Sequence, residues 1–254
     1  KRQHLNVLHI ISDYLFIKKN PNAPFTPKTY IFGAKAAPGY ALAKQIIQLI
    51  SCLSNVIDKD PDCKDKLKVF FLEDYRVTMA ELMIPAAEIS EQISLASTEA
   101  SGTGNMKFMM NGAITLGTED GANVEIHEAV GDDNIVIFGM HTPEVMALRK
   151  KGYSPAEYIA NNTLLKECLD FIGQGVDGKS FENLYRTFTN VDFYMASADF
   201  ADYCLAHEKV NALYADREKW NKMSLENIAA SGIFAADRSI ADYARDIWGL
   251  TSLK

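Results

Sequence analysis

Leu67-Lys68-Val69-Phe70-Phe71-Leu72 is a run of strand length, apolar at every position but Lys68. Asp60-Pro61-Asp62 stands before it and the polar loop Glu73-Asp74-Tyr75-Arg76 after it. A short, nearly continuous apolar run between such boundaries predicts a parallel strand covered on both faces.

Upstream of that strand, Leu42, Ile46, Leu49, Ile50, Leu53 and Ile57 recur at helical spacing and predict a long helix. Before it come a short strand, Thr29-Tyr-Ile-Phe32, and the turn Gly33-Ala-Lys-Ala-Ala-Pro-Gly39. Val7, Ile10, Ile11, Tyr14 and Leu15 predict a buried amphipathic first helix, ending before the proline-rich turn at 20–27. Downstream, Thr78 with Glu81 three residues later is a capping-box signature, and Pro85 ends or kinks the helix it opens. A glycine turn at 102–104, a helix carrying Lys107, a strand near Ala113–Leu116, a helix over Asn123–Ala129 and a strand over Asn134–Phe138 complete the alternation.

Such alternation predicts an α/β fold, a doubly wound Rossmann-like parallel sheet over residues 1–140. Residues 141–254 read almost entirely as helix, beginning with the N-cap tetrapeptide Ser154-Pro155-Ala-Glu157 and continuing at about 195–210, 214–230 and 238–248.

With 33 acidic against 26 basic residues the chain carries a net charge of -7, which argues against a nucleic-acid surface. Cys52, Cys63, Cys168 and Cys204 are too scattered for a zinc knuckle and fit reduced cytoplasmic thiols. The histidines show no HExxH spacing, so no metal is expected. Asn6, His9 and Asp13 interrupt the apolar start, so it does not read as a signal peptide, and no run is long enough for a membrane span. The absence of an initiating Met reads either as a piece of a longer polypeptide or as a processed chain.

Ligands of open α/β sheets bind at the carboxyl ends of the strands. Three loops there carry candidate chemistry. Gly33–Gly39 lacks a Lys-Ser/Thr after its second glycine and is not a phosphate-binding P-loop. At Glu73-Asp74-Tyr75-Arg76, Arg76 either holds a phosphate by a forked contact or pairs with Glu73 or Asp74 at the surface. Glu99-Ala-Ser-Gly102-Thr-Gly104-Asn-Met-Lys107-Phe-Met-Met is the most informative. Its glycines let the backbone approach a ligand, and a glycine turn opening a helix is an anion site. Lys107 stands among Met106, Phe108, Met109 and Met110; an apolar setting disfavours the ammonium and frees the amine for a Schiff base, while the alternative is a lysine snorkelling to solvent.

The stretch Glu99–Ala113, continued by Gly117-Thr-Glu-Asp-Gly-Ala-Asn-Val-Glu125, closely resembles the cofactor signature of the α-glucan phosphorylases. Lys1–Asn6, Gly33–Tyr40, Phe71–Arg76 and Ile84–Ser94 are similar to that family in the same order, and Asp237–Trp248 more loosely. The resemblance implies a glycosyltransferase-B-type fold, of which this chain is most of the second domain. It implies a missing N-terminal domain, with part of the sugar site and most allosteric elements, and a homodimeric, cytoplasmic parent. The implied reaction is phosphorolysis of an α-1,4-glucan by inorganic phosphate, giving α-glucose 1-phosphate. The implied cofactor is pyridoxal 5′-phosphate, held as an imine on Lys107. Gly102, Thr103 and Gly104 would hold its phosphate, Tyr75 and Gln92 would lie against it, and Lys1 and Arg76 would stand near the two phosphates. Glu99, Ala100, Ser101 and Gly102 would contact glucose hydroxyls. A non-catalytic glucan-binding or assembly fragment and a nucleotide-sugar glycosyltransferase of the same fold are the competing readings.

Overall fold

A computed structural model describes residues 2–99 and 102–251. Helix α1, Gln3–Lys19, opens the chain and leads to strand β1, Lys28–Gly33. Then come α2 (Ala41–Lys59), β2 (Leu67–Leu72), α3 (Val77–Ala86), β3 (Ile89–Gln92), α4 (Gly104–Met110), β4 (Ile114–Gly117), α5 (Ala122–Val130) and β5 (Val136–Ile137). From there the described residues are helical: α6 (Thr142–Lys151), α7 (Pro155–Asn161), α8 (Thr163–Gly173), α9 (Glu182–Arg186), α10 (Ala196–Ala215), α11 (Arg217–Ala230) and α12 (Ala236–Tyr243). The only bridge among them joins Val176 to Lys179.

All strand pairing among the described residues is parallel, in two sheets: β1–β2, and β3–β4–β5 in that order. The molecule is thus a mixed α/β protein with parallel sheets.

The expectation that the 67–72 strand is covered on both faces is corrected. Tyr30, Phe32, Leu67 and Val69 face the core, but Ile31 and Phe70 are exposed on the opposite face. Strand β4 is the one buried throughout. Helix α1 also differs from the amphipathic reading: every residue from His4 to Asp13 is buried, because α8, α10 and α2 surround it. A helix buried all round shows no polar stripe.

The first turn of α3 is likewise corrected. Its N-cap position is Arg76, and Thr78 lies inside the helix, where its hydroxyl accepts a hydrogen bond from Arg76 Nε at 3.1 Å. Pro85 does sit at the helix end, and the peptide stops being helical at Ala87. Strand β3 carries no strand pattern in its own sequence, because only Ile89 in Ile-Ser-Glu-Gln is apolar. Its pairing with β4 is set by tertiary contact, Ile89 beside Ile114 through Gln92 beside Gly117.

One apolar cluster joins Leu5, Ile10 and Ile11 of α1 to Leu49 and Leu53 of α2, Val69 of β2, Leu116 of β4, Leu169 of α8 and Phe200 of α10. At its edge lies a buried ion pair: Arg2 Nη1 meets Asp199 Oδ2 at 2.6 Å, while Arg2 Nε donates to the Ile93 carbonyl at 2.9 Å. Asp199 Oδ1 accepts the Met140 N–H at 3.0 Å. One guanidinium–carboxylate pair therefore ties the start of α1, the exit of β3, the segment after β5 and α10.

Candidate functional site

Parallel strands send their carboxyl ends to the same side, and β3 and β4 release the segments that begin at Ile93 and Thr118 there. Between these segments lies a polar cavity of about 150 Å³, lined by Gln92, Ser94, Glu99, Gly102, Asn105, Thr118, Asp120 and Asn123. Every lining side chain carries a hydrogen-bonding group, so the cavity suits hydroxyls rather than an apolar ligand.

Two side chains, Asp120 from the turn after β4 and Asn123 from the first turn of α5, order this wall. Asp120 accepts three consecutive backbone N–H groups: Ser97 at 2.9 Å on Oδ1, and Thr98 at 3.1 Å and Glu99 at 2.8 Å on Oδ2. Asn123 accepts from Asn105 Nδ2 at 2.9 Å and donates to the carbonyls of Thr118 at 2.9 Å and Gln92 at 3.2 Å. Such a close approach requires Gly117: a Cβ there would stand 2.7 Å from both Asn123 Nδ2 and the Gln92 carbonyl. The Glu99 carboxylate accepts from the Ser94 hydroxyl at 3.0 Å.

Of the residues singled out in the sequence, the structure brings Gln92, Glu99 and Gly102 together in this cavity. Gly102 has φ +81°, a conformation that requires glycine. Thr103 occupies the N-cap position of α4 and Gly104 its first turn, both exposed. Lys107 lies one turn on, with its backbone N–H bonded to the Thr103 carbonyl at 3.3 Å. Of the two settings left open for Lys107, the structure shows the solvent-facing one: only Met109 of its neighbours is fully buried, and Lys107 itself is exposed. The reason is helical geometry, which turns position 107 away from the buried positions 105 and 109. Its ammonium enters no hydrogen bond or ion pair among the described residues.

Arg76 is not at the cavity. It is exposed, and its guanidinium pairs with Asp74 and Thr78, the surface alternative left open by the sequence. Tyr75 is half-buried against Gly33, where an added Cβ would stand 2.6 Å from the ring. Lys1, Ala100 and Ser101 lie outside the described residues. Sequence reasoning gave no role to Ser94, Asn105, Thr118, Asp120 or Asn123. The signal was nonetheless present in Gly117–Glu125, a polar, glycine-bounded turn directly after an apolar strand.

Strand ends, a polar cavity and a lysine unpaired among the described residues beside a glycine turn mark a candidate ligand site in a mixed α/β protein with parallel sheets. Residues 1–250 match the carbohydrate phosphorylase family, and the chain belongs to it. It is 50% identical over 254 residues to a glycogen phosphorylase of Synechocystis, 51% to the liver form of Bos taurus and 48% to the muscle form of Homo sapiens. Each comparison covers 98% of this chain and 30% of the relative, so the chain spans under a third of their length.

Proposed function

We propose that this chain is the cofactor-holding part of a phosphorylase, in which inorganic phosphate cleaves a terminal α-1,4-linked glucose from a glucan to give α-glucose 1-phosphate. The observation that carries the proposal is Lys107. Among the described residues its amine has no hydrogen-bond or ion-pair partner; it stands one turn beyond the Gly102–Gly104 turn and sits within a sequence 50% identical to a glycogen phosphorylase. An unpartnered amine fits a group that condenses with lysine, and a glycine turn fits the phosphate of that group. The residues therefore fit pyridoxal 5′-phosphate, with Lys107 as its covalent anchor and Gly102, Thr103 and Gly104 around its phosphate.

When bound, the cofactor would supply an ionisable phosphate able to carry a proton. The chain's own residues do the positioning. Glu99, held by Ser94 and by its backbone N–H to Asp120, offers a carboxylate to sugar hydroxyls. Gln92, on the same wall, offers an amide. Tyr75 and Arg76 follow β2 as the next loop, and Arg76 would exchange its Asp74 partner for phosphate when that ligand is present. In this reading the two sheets belong to one doubly wound, Rossmann-like domain of glycosyltransferase-B type. The remaining part of the polypeptide supplies the opposite wall, and the assembled enzyme is a homodimer.

A cavity of about 150 Å³ is small beside the roughly 300–1,000 Å³ of ordinary ligand sites. It holds one small unit and not a glucan end, phosphate and cofactor together. Catalysis requires these in near-attack geometry, which contributes roughly 7–11 kcal/mol to lowering the barrier. The 254-residue chain alone is therefore expected to release no measurable glucose 1-phosphate from glucan and phosphate, whereas a polypeptide of the relatives' full length should do so. Turnover by the purified chain would overturn the shared-site reading. Absence of turnover from the longer protein would favour the non-catalytic, glucan-binding alternative, which the surface pairing of Arg76 also supports.

A further inference from the structure

Asp120, in the turn joining β4 to α5, and Asn123, in the first turn of α5, stand three residues apart within a motif to which the reaction itself assigns nothing. Asp120 gathers the N–H groups of Ser97, Thr98 and Glu99, and Asn123 holds Asn105 at the start of α4. Asn105 in turn accepts the Met106 N–H at 3.0 Å. Between these anchors runs the segment that contains the glycine turn. Both anchors rest on a rigid base: Thr118 donates its hydroxyl to the Ser94 carbonyl at 2.6 Å and its N–H to the Gln92 carbonyl at 3.1 Å. Asn105, Thr118 and Asn123 are each at most 3% exposed.

We infer that Asp120 and Asn123 are positioning residues forming a two-point clamp, which fixes residues 97–99 ahead of the 102–104 turn and Asn105 after it, and so presets that phosphate-holding turn and the approach to Lys107. This rests on the cofactor reading proposed above. Glycine-rich backbone is costly to order, because its unbound form is conformationally broad. Fastening the backbone at 97–99 and the side chain of Asn105 restricts the chain on either side of the 102–104 turn before any ligand arrives, which is how supporting residues preorganise a site. The arrangement also determines where an anion binds. Three successive N–H groups make an anion nest, but at 97–99 that nest is filled by Asp120. That nest is thereby closed to a ligand phosphate, and the carboxylates of Asp120 and Glu99 keep the adjacent cavity suited to neutral hydroxyls.

The test compares pyridoxal 5′-phosphate with pyridoxal, which carries the same aldehyde but no phosphate. Each is incubated with the 254-residue chain; the Lys107 amine adds to the aldehyde, water leaves, and borohydride reduces the C=N bond to a stable secondary amine. Intact mass and peptide mapping locate and quantify the label. The unsubstituted chain should be labelled at Lys107 at lower concentrations of the phosphate-bearing aldehyde. Asp120→Asn and Asn123→Asp should each raise the half-saturating concentration of pyridoxal 5′-phosphate about tenfold, since small misplacements of a preorganised site are costly, and leave that of pyridoxal within about twofold. If circular dichroism shows either variant unfolded, Asp120→Glu, which keeps the charge but displaces the oxygens, should show the same phosphate-selective loss. Unchanged phosphate selectivity in the folded variants would overturn the clamp and leave the cofactor reading intact. An equal loss for both aldehydes, accompanied by a lower Tm, would reduce Asp120 to a structural residue. An unsubstituted chain labelled elsewhere than Lys107 would remove the cofactor reading and the clamp with it.

Discussion

At the scale of single residues, exposure separates groups that hold the fold from groups that wait for a ligand. Arg76 and Asp74 are both more than 60% exposed, and an ion pair in that setting contributes at most about 1 kcal/mol. Arg76→Ala is therefore expected to change the stability of this chain by less than about 0.5 kcal/mol in urea unfolding. In a full-length phosphorylase the same substitution should weaken activity most at low phosphate, because a forked cationic contact is lost. A sharp loss of stability with phosphate dependence unchanged would make Arg76 a structural residue. Arg2 is the opposite case. Its side chain is fully buried, and removing it leaves Asp199, only 2% exposed, without its cation. Arg2→Met should cost roughly 3–5 kcal/mol, the penalty for stranding one charge of a buried pair. A loss below about 1 kcal/mol in urea unfolding would show that water reaches Asp199.

At the scale of elements, α1, α10 and β3 meet around a cluster of titratable side chains. His9 of α1 stacks on His207 of α10 with ring centroids 3.7 Å apart, and His207 Nε2 lies 3.4 Å from Glu91 of β3. Lys28 and Asp13 form an ion pair at 3.0 Å beside them, and the Tyr30 hydroxyl also reaches Asp13. Burial, reinforced by Lys28, holds His9 well below the ordinary histidine range; burial, His9 and Lys28 do the same to His207. Burial also lowers His4 to about 4. Glu91 is raised to about 7 by burial, against the opposing hydrogen bond from Tyr203. The signs follow from proton binding. Between about pH 4 and 6.5 the unfolded chain protonates these histidines and the folded chain does not, so stability rises with pH across that window. Glu91 acts in the reverse sense, since the folded chain binds its proton between the ordinary carboxylate range and about 7. Three histidines outweigh one carboxylate, so thermal melts should show Tm falling as pH drops below 6.5. Glu91→Gln should steepen that fall and raise Tm at pH 8 by a few degrees, since about 1 kcal/mol corresponds to roughly 2–4 °C in a protein of this size. The gain should shrink as pH falls from about 7 and vanish well below pH 4.5, where Glu91 is protonated in both states. A Tm for Glu91→Gln at or below that of the unsubstituted chain at pH 8 would show that Glu91 is not destabilising when ionised.

Across the whole molecule, the C-terminal helical segment is the least integrated part. No residue of α12 or of the π-helical turn Ala244–Trp248 is buried, and they pack chiefly on one another and on the short turn Ser231–Phe234. Arg238 and Arg245 pair with Asp242, Arg245 also with Asp246, while Ile240, Tyr243, Ile247, Trp248 and Leu250 are exposed together. Ile31 and Phe70 are likewise open on the β1–β2 sheet, and clustered exposed apolar side chains are the kind of surface through which proteins associate. Sedimentation velocity should show concentration-dependent self-association, reduced by the paired substitution Ile247→Glu and Trp248→Ser. A monomer at all concentrations would indicate that these side chains fold back on the body in solution.

Periodicity and punctuation in the sequence sufficed for the extent of β2, the long stripe of α2, the break at Asp60-Pro61 and the helical second half. These depend on interactions between residues a few positions apart, and local physics expresses them in residue order. The glycine turn and Lys107 were legible for the same reason, as a short segment with an unusual composition. Tertiary structure alone decided that Ile-Ser-Glu-Gln is a strand, because its conformation comes from pairing with β4 rather than from its own residues. It also decided that Lys107 faces outward and that Arg76 turns to Asp74, since a run of apolar neighbours in sequence does not say which side of a helix meets the core. Above all it decided the partners of Asp120 and Asn123, which lie between 18 and 31 residues away in the chain for their bonds to Ser97, Thr98, Glu99, Asn105 and Gln92. A hydrogen bond has no range in sequence, only in space, and these become neighbours because two parallel strands deliver their loops to the same end of one sheet.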